Sequence, residues 1–368
     1  NTELSSHQAN SAYVSEFGSS TCCSSDGSIL AVGAPGYRQS NTSKGAVFIY
    51  EKTNSGWVYR QGIVFATANN YKLGYSLCGD DSLDKLFIGT DATSSLSDVY
   101  LYEKGTSGGV LNYSWGSSFN IKTLANFNTG TIATFGTSLD CSSDGNTLIV
   151  GSDNYQQVVN GSTLYPGEVQ VFTNQLGIWT LKQSLFSDAM SNKPSSLTLA
   201  NGSKFGNKVS ISSDGTKLAL GTAVGYVFYY EYSTTSSEYS FVKAYSSQYV
   251  NTNYGRDFLV SKDGNYLLIG HNDENVFIHK YDSTNVNNPW TLDTSTNIMT
   301  LASNGNSNYN GHFNDAFGSS IAISGDATRM LLGIPGFKSD GSKISGQAMF
   351  IFGKQVTTAV LKQMRGRG

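Results

Sequence analysis

FGSSTCCSSDGSILAVGAP, Phe17 to Pro35, followed after a polar loop by GAVFIY, Gly45 to Tyr50, decides the fold because the chain repeats it. Five further copies open at Leu73-Gly74, Phe135-Gly136, Phe205-Gly206, Tyr254-Gly255 and Phe317-Gly318, at steps of 56, 62, 70, 49 and 63 residues. Self-similarity at a period near 60 marks a repeat architecture in which each unit buries its apolar face on the next.

Within a unit the pattern reads as four short strands. Phe135 to Cys141 alternates apolar with polar or small residues, Ser142-Ser143-Asp144-Gly145 turns the chain, and Leu148-Ile149-Val150 leads to Gly151. Asp-Gly between apolar runs signals a hairpin, since glycine takes positive φ without a steric penalty and aspartate bonds its own backbone. The pair returns at Asp26-Gly27, Asp214-Gly215 and Asp263-Gly264; the second and sixth units hold Asp81-Ser82 and Asp326-Ala327, where a different turn type is expected. Third strands are β-branched and aromatic: Ala46–Tyr50, Val99–Tyr102, Val169–Phe172, Val227–Tyr230, Val276–His279 and Ala348–Phe352. Fourth strands follow at Trp57–Val64, Trp179–Phe186, Tyr239–Tyr245, Trp290–Leu301 and Val356–Met364, the last aligned by Leu361-Lys362-Gln363 with Leu181-Lys182-Gln183.

Six such units without a helical period predict an all-β fold, a six-bladed β-propeller of four-stranded antiparallel blades, as one domain spanning residues 1–368 with a polar arm at 1–16 and a tail at 365–368. The FG openings, the Gly33-Ala34-Pro35 and Gly333-Ile334-Pro335 strand ends and the Gly-Ala-Val-Phe-Ile-Tyr third strand resemble FG-GAP repeats, the family that includes the propeller of integrin α subunits. The resemblance runs from Phe17 to about Met364. It departs from the family in two ways. The DxDxDG calcium loops are replaced by tight Ser-Asp-Gly hairpins, so no metal is carried over, and there are six units where integrin propellers have seven blades. The acidic cluster Asp80, Asp81 and Asp84 supplies three carboxylates, fewer oxygens than calcium requires. No metal site and no cofactor are expected.

Composition narrows the class. The net charge is −3 and only 14% of residues are charged, which leaves no basic face for nucleic acid, and no apolar run approaches a membrane span. The chain begins at Asn1 and is read as a mature secreted product, extracellular, with acceptor sequons at Asn41, Asn112, Asn160 and Asn201 in or beside expected loops. Cys23 and Cys141 occupy the same core position in their units. Cys22 and Cys78 share the adjacent register position of neighbouring units, placing them side by side for a disulfide, one of three connectivities that four cysteines allow.

Catalytic motifs do not appear. His7, His271, His279 and His312 lack ligand spacing, there is no GxSxG elbow and no phosphate loop, Gly255-Arg256-Asp257 reads as part of a repeat opening, and His271-Asn272-Asp273-Glu274 reads as a solvated turn. Strand alternation puts the Asp-Gly hairpins at one end of the blades. The longer loops lie at the other, with 36–44, 91–97, 153–166 and 337–345 within units and 187–204 and 302–316 between them. The expected function is therefore a secreted, non-enzymatic structural or adhesive propeller, self-associating through its terminal segments into a fibre or coat. The alternative is an extracellular lectin-like module binding carbohydrate or protein, and a third class is a propeller hydrolase or lyase whose acid and base come from separate blades. Convergent carboxylates with perturbed pKa in the central cleft would favour that third class.

Overall fold

The computed structural model describes residues 14–39, 42–65, 72–91, 97–107, 110–120, 134–155, 157–159, 162–164, 166–186, 202–246, 254–271, 275–285, 289–292, 318–334, 347–352 and 360–364. Among them there is no helix. The strands form six four-stranded antiparallel sheets, each a meander in chain order, and two small hairpins, Arg38–Gln39 with Thr42–Ser43 and Gln157–Val159 with Ser162–Leu164. Contacts divide the chain into two compact units, Asn1–Val209 and Ser210–Gly368.

The first unit carries three sheets. Their strands are Thr21–Cys23, Ile29–Ala34, Ala46–Thr53 and Gly56–Ile63; Ser76–Gly79, Lys85–Gly89, Val99–Ser107 and Val110–Asn120; and Ser138–Cys141, Thr147–Ser152, Glu168–Gln175 and Ile178–Phe186. The first strands of successive sheets pack on one another, and apolar side chains fill the space between sheet faces. This is the blade packing of a β-propeller. Trp179 of the third sheet meets Phe87 of the second edge-on at 5.5 Å between ring centroids. Trp179 is thus a wedge between blades.

Two hydrogen-bond chains tie these blades and account for the repeated residues. At one end the serine two places after each opening glycine reaches the next unit: the Ser20, Ser76 and Ser138 hydroxyls donate to the carbonyls of Gly74, Gly136 and Gly206 at 2.7, 2.6 and 2.7 Å. The second-strand glycine sits under this contact. A Cβ on Gly33 would lie 2.1 Å from the Gly74 oxygen, and one on Gly151 would lie 2.1 Å from that of Gly206, distances no side chain tolerates. At the other end the hairpins are linked through their backbones, Ser25 N–H donating to Asp81 O at 2.7 Å and Asp81 N–H to Ser143 O at 2.9 Å.

The second unit repeats the scheme. Its sheets are Val209–Ile211, Lys217–Gly221, Tyr226–Ser233 and Glu238–Ser246; Tyr254–Val260, Tyr266–His271, Asn275–Tyr281 and Trp290–Leu292; and Ile321–Ile323, Arg329–Ile334, Gln347–Phe352 and Val360–Met364. The first of these strands begins at the unit boundary. Trp290 is fully buried against Tyr229 at 5.2 Å, and the backbone chain continues from Ser213 N–H to Lys262 O at 3.0 Å. Where the serine latch would be, the fifth sheet has Asp257, whose carboxylate accepts from the N–H of Ile321 at 2.6 Å and of Phe258 at 3.0 Å. In the last sheet Leu361 lies opposite Ile351, as Leu181 lies opposite Phe172, so the expected register holds.

The hairpins correct one expectation. The second and sixth units keep the turn of the others instead of changing its type. In the sixth, Ala327 takes φ 53°, close to the 67° of Gly27, and Ser324, Asp326 and Thr328 rebuild the same hydrogen bonds. In the second, the turn is offset by one residue from the expected Asp81-Ser82: Leu83 takes φ 51°, and Asp80 replaces the serine, accepting from Lys85 N–H at 3.1 Å. Both residues take a left-handed conformation that disfavours side chains, Leu83 held by packing and Ala327 by its turn, its N–H donating to Ser324 O at 2.8 Å. Leu83 is fully buried, and Tyr113 donates to its carbonyl at 2.6 Å.

Candidate active site

At the loop end of the first unit the repeat stops being uniform. The residue before each opening is Glu16, Lys72, Thr134 and Lys204, and all four have positive φ, at 54°, 47°, 85° and 53°. The left-handed backbone is uncommon for such residues and strained for a β-branched threonine. Hydrogen bonds to neighbouring segments hold Thr134 there, its N–H donating to Ser97 Oγ and its Oγ1 accepting from Asn154 N–H, each at 3.0 Å. The place after the second strand, proline in the first and sixth units, is Asp91 in the second and Asp153 in the third.

These positions converge. Lys72 Nζ binds Asp91 Oδ2 at 2.9 Å and stands 5.8 Å from the centroid of the Tyr75 ring, while Lys204 Nζ lies 3.5 Å from Asp153 Oδ2. Tyr75, two residues after its unit opens, is 40% exposed. Partial burial raises its hydroxyl pKa, the carboxylates of Asp91, Asp153 and Glu16 push the same way, and Lys72 opposes them. A single phenol therefore lies within electrostatic reach of residues from separate repeats. The second carboxylate oxygen of Asp153, Oδ1, is buried and has no hydrogen-bond donor in the protein. A buried acceptor of this kind calls for water or a ligand.

Behind the rim lies a buried carboxyl. Glu168 opens the third strand of the third sheet opposite Ser152 and has no solvent exposure. Its Oε1 accepts from Gln170 Nε2 at 2.8 Å, Ser184 also bonds the carboxyl, and Oε2, Gln170 Oε1 and Ser152 Oγ are left without partners. Burial pushes the acid up to about 7. In the other five repeats the register position of Gln170 holds Phe48, Tyr100, Phe228, Phe277 and Met349, and that of Glu168 holds Ala46, Asp98, Tyr226, Asn275 and Gln347. Gln170 is a departure of one blade from an otherwise apolar rule, whereas the Glu168 position is polar in three other repeats.

The residues singled out from sequence fall elsewhere. Asn41, Asn160 and Asn201 lie outside the described residues, as do 272–274, 302–316, 337–345, the tail at 365–368 and all of the N-terminal arm except Val14, Ser15 and Glu16. The described end of the arm is anchored to its own unit, Gly36 N–H donating to Ser15 O at 3.1 Å. Asn112 is not in a loop; it is a partly buried strand residue opposite Gly105. All four cysteines are thiols, and Cys78 is hydrogen-bonded to Cys141 rather than disulfide-linked to Cys22. Asp80, Asp81 and Asp84 diverge: Asp84 pairs with Lys104, Asp80 caps its turn, and Asp81 serves through its backbone. Among the described residues no group of three or more His, Cys, Asp or Glu side chains is placed to hold a metal ion.

Compared with known proteins, the chain matches no protein family and no curated protein by sequence. By structure it is similar to a "putative 6-phosphogluconolactonase" from Bacteroides uniformis, at TM-score 0.55 and 12% identity over 94% of this chain and 83% of that one. A second protein of the same designation, from Bacteroides fragilis, aligns at TM-score 0.53 and 14% identity over 95% and 83%. At these identities the likeness establishes the fold, a β-propeller. It also corrects the functional expectation, because the proteins that share this architecture carry an enzyme's name. The reading as a non-enzymatic structural or adhesive protein is overturned, and nothing found supports secreted, glycoprotein, adhesion or fibre character.

Proposed function

We propose that the chain is a β-propeller hydrolase that opens a lactone or simple ester at the loop end of the unit Asn1–Val209. Its repeats are of the FG-GAP kind, a reading supported by the FG glycine, the following serine and the second-strand glycine acting as one latch. The observation that carries the hydrolase reading is that Asp91 and Asp153, from different repeats, both act electrostatically on Tyr75, and that Asp153 has an unpartnered buried carboxylate oxygen. The enzyme names of the structurally similar proteins agree with it.

The chemistry follows from the groups present. Asp153 Oδ1 accepts a proton from water as the water oxygen adds to the acyl carbon. The Tyr75 hydroxyl donates to the carbonyl oxygen, where negative charge develops. The acyl C–O bond then breaks, and the departing alkoxide takes the proton back from Asp153, giving a hydroxy acid. Lys72 and Lys204 fix the two carboxylates, and Lys72 also faces the Tyr75 ring. The test is proton release from sugar lactones by the purified full-length protein. Turnover above the spontaneous rate, reduced about 100-fold in Asp153→Asn, is expected from the usual contribution of a positioned base. Hydrolysis no faster than in buffer, across lactones and aryl esters, would remove the proposal.

A further inference from the structure

The charges at the candidate site favour one class of acyl substrate over another. Three carboxylates, Glu16, Asp91 and Asp153, act there against two ammonium groups, Lys72 and Lys204, and each lysine is already paired with an aspartate, at 2.9 and 3.5 Å. Lys44, whose carbonyl accepts from Leu73 N–H at 3.2 Å, has its ammonium on Gln39 Oε1 at 3.3 Å. The electrostatic balance at the Tyr75 hydroxyl is negative in the same sense, since the carboxylates that act on it outnumber the lysine.

A phosphate monoester carries close to two negative charges at neutral pH and is recognised by cations or N–H groups that are open to it. Drawing Lys72 or Lys204 to a phosphate would break an ion pair and leave a partly buried aspartate uncompensated beside the new anion. Asp91 and Asp153 are 18% and 16% exposed, so solvent screens them only partly. Like charges brought together at a binding surface select against the wrong partner.

We infer that this site takes an uncharged lactone or ester and discriminates against a phosphorylated one, which rests on the hydrolase function proposed above. The substrate class thus differs from the one in the names of the structurally similar proteins. Two measurements on the full-length protein decide it. In the first, glucono-δ-lactone and its 6-phosphate are compared at equal concentration; kcat/KM at least ten-fold higher for the unphosphorylated lactone is expected, and in the double variant Asp91→Asn, Asp153→Asn the residual preference should shift toward the phosphate as the lysines are freed. Preference of the wild type for the 6-phosphate overturns the inference and leaves the hydrolase function standing. In the second, which needs no turnover, binding of glucose and of glucose 6-phosphate is followed by calorimetry. Glucose 6-phosphate binding no more tightly than glucose supports the inference, and tighter binding overturns it. Absence of turnover with both lactones sinks the hydrolase function alone.

Discussion

The two ends of the blades obey different rules. At the hairpin end five units repeat one network: the hydroxyls of Ser24, Ser142, Ser212, Ser261 and Ser324 each donate to the aspartate two residues on, at 2.5 to 2.6 Å, and each accepts the N–H that closes the turn. Every carboxylate there is satisfied, and hydrogen bonds led by the serine hold Asp26 and Asp326 down near 2. At the loop end of the first unit the equivalent places differ from copy to copy, carry unlike charges, and leave Asp153 Oδ1, Glu168 Oε2 and Gln170 Oε1 unpartnered. Uniform residues with satisfied turn carboxylates hold the fold. Where the repeat is broken and polar atoms stay open, the chain has chemistry to spare.

Perturbing the uniform part should cost most. Gly151→Ala drives a Cβ to 2.1 Å from the Gly206 oxygen and 2.2 Å from Ser138 Oγ. Overpacking together with the lost latch bond should destabilise the first unit by about 4 kcal/mol, seen as a lower urea midpoint. A midpoint unchanged within error would mean that the second-strand glycine is not held by the neighbouring blade.

The buried acid gives the next largest effect. Its folded value of about 7 lies above the ordinary 4.5, so the folded state holds the proton to higher pH than the unfolded chain does. Its contribution to stability is complete below 4.5 and is lost as pH rises through about 7, to the extent of about 3 kcal/mol at pH 8. Glu168→Gln, neutral throughout, should lack this loss. The difference between wild-type and variant stability should therefore change between pH 4.5 and 8, and a constant difference would show that Glu168 is not protonated by its surroundings.

The smallest effect comes from the one hairpin that departs from glycine at an exposed turn. Ala327→Gly relieves the left-handed strain at φ 53° and should stabilise the second unit by about 0.5 to 1 kcal/mol in chemical denaturation. Destabilisation would show that the sixth hairpin gains more from alanine than its backbone loses.

Much of the fold is legible in the chain because it is written several times. The period, the Asp-Gly turns and the third strands located the sheets, and Leu361-Lys362-Gln363 located the last strand. The turns at Leu83 and Ala327 carry no glycine to mark them, because packing overrides that preference at Leu83 and the turn's own hydrogen bonds do so at Ala327. Asp91, Asp153 and Lys204 lay in or at the ends of loops assigned to the functional end, but their convergence on Tyr75 is a property of assembled blades and leaves no local motif. One signal was available. Aligning EVQVF of the third unit with AVFIY, DVYLY and YVFYY exposes Gln170 as a polar residue at a buried, otherwise aromatic place.

The sharpest measurement pairs one aspartate from each end of the same sheet. Asp153→Asn and Asp144→Asn are compared for lactone turnover and for urea midpoint. Asp153→Asn should lose about 100-fold in turnover with its midpoint nearly unchanged, whereas Asp144→Asn, which weakens the Ser142 and Asn146 contacts of its hairpin, should lower the midpoint and leave turnover of the folded protein intact. Equal effects of the two substitutions on turnover would contradict the division between an end that folds the protein and an end that acts.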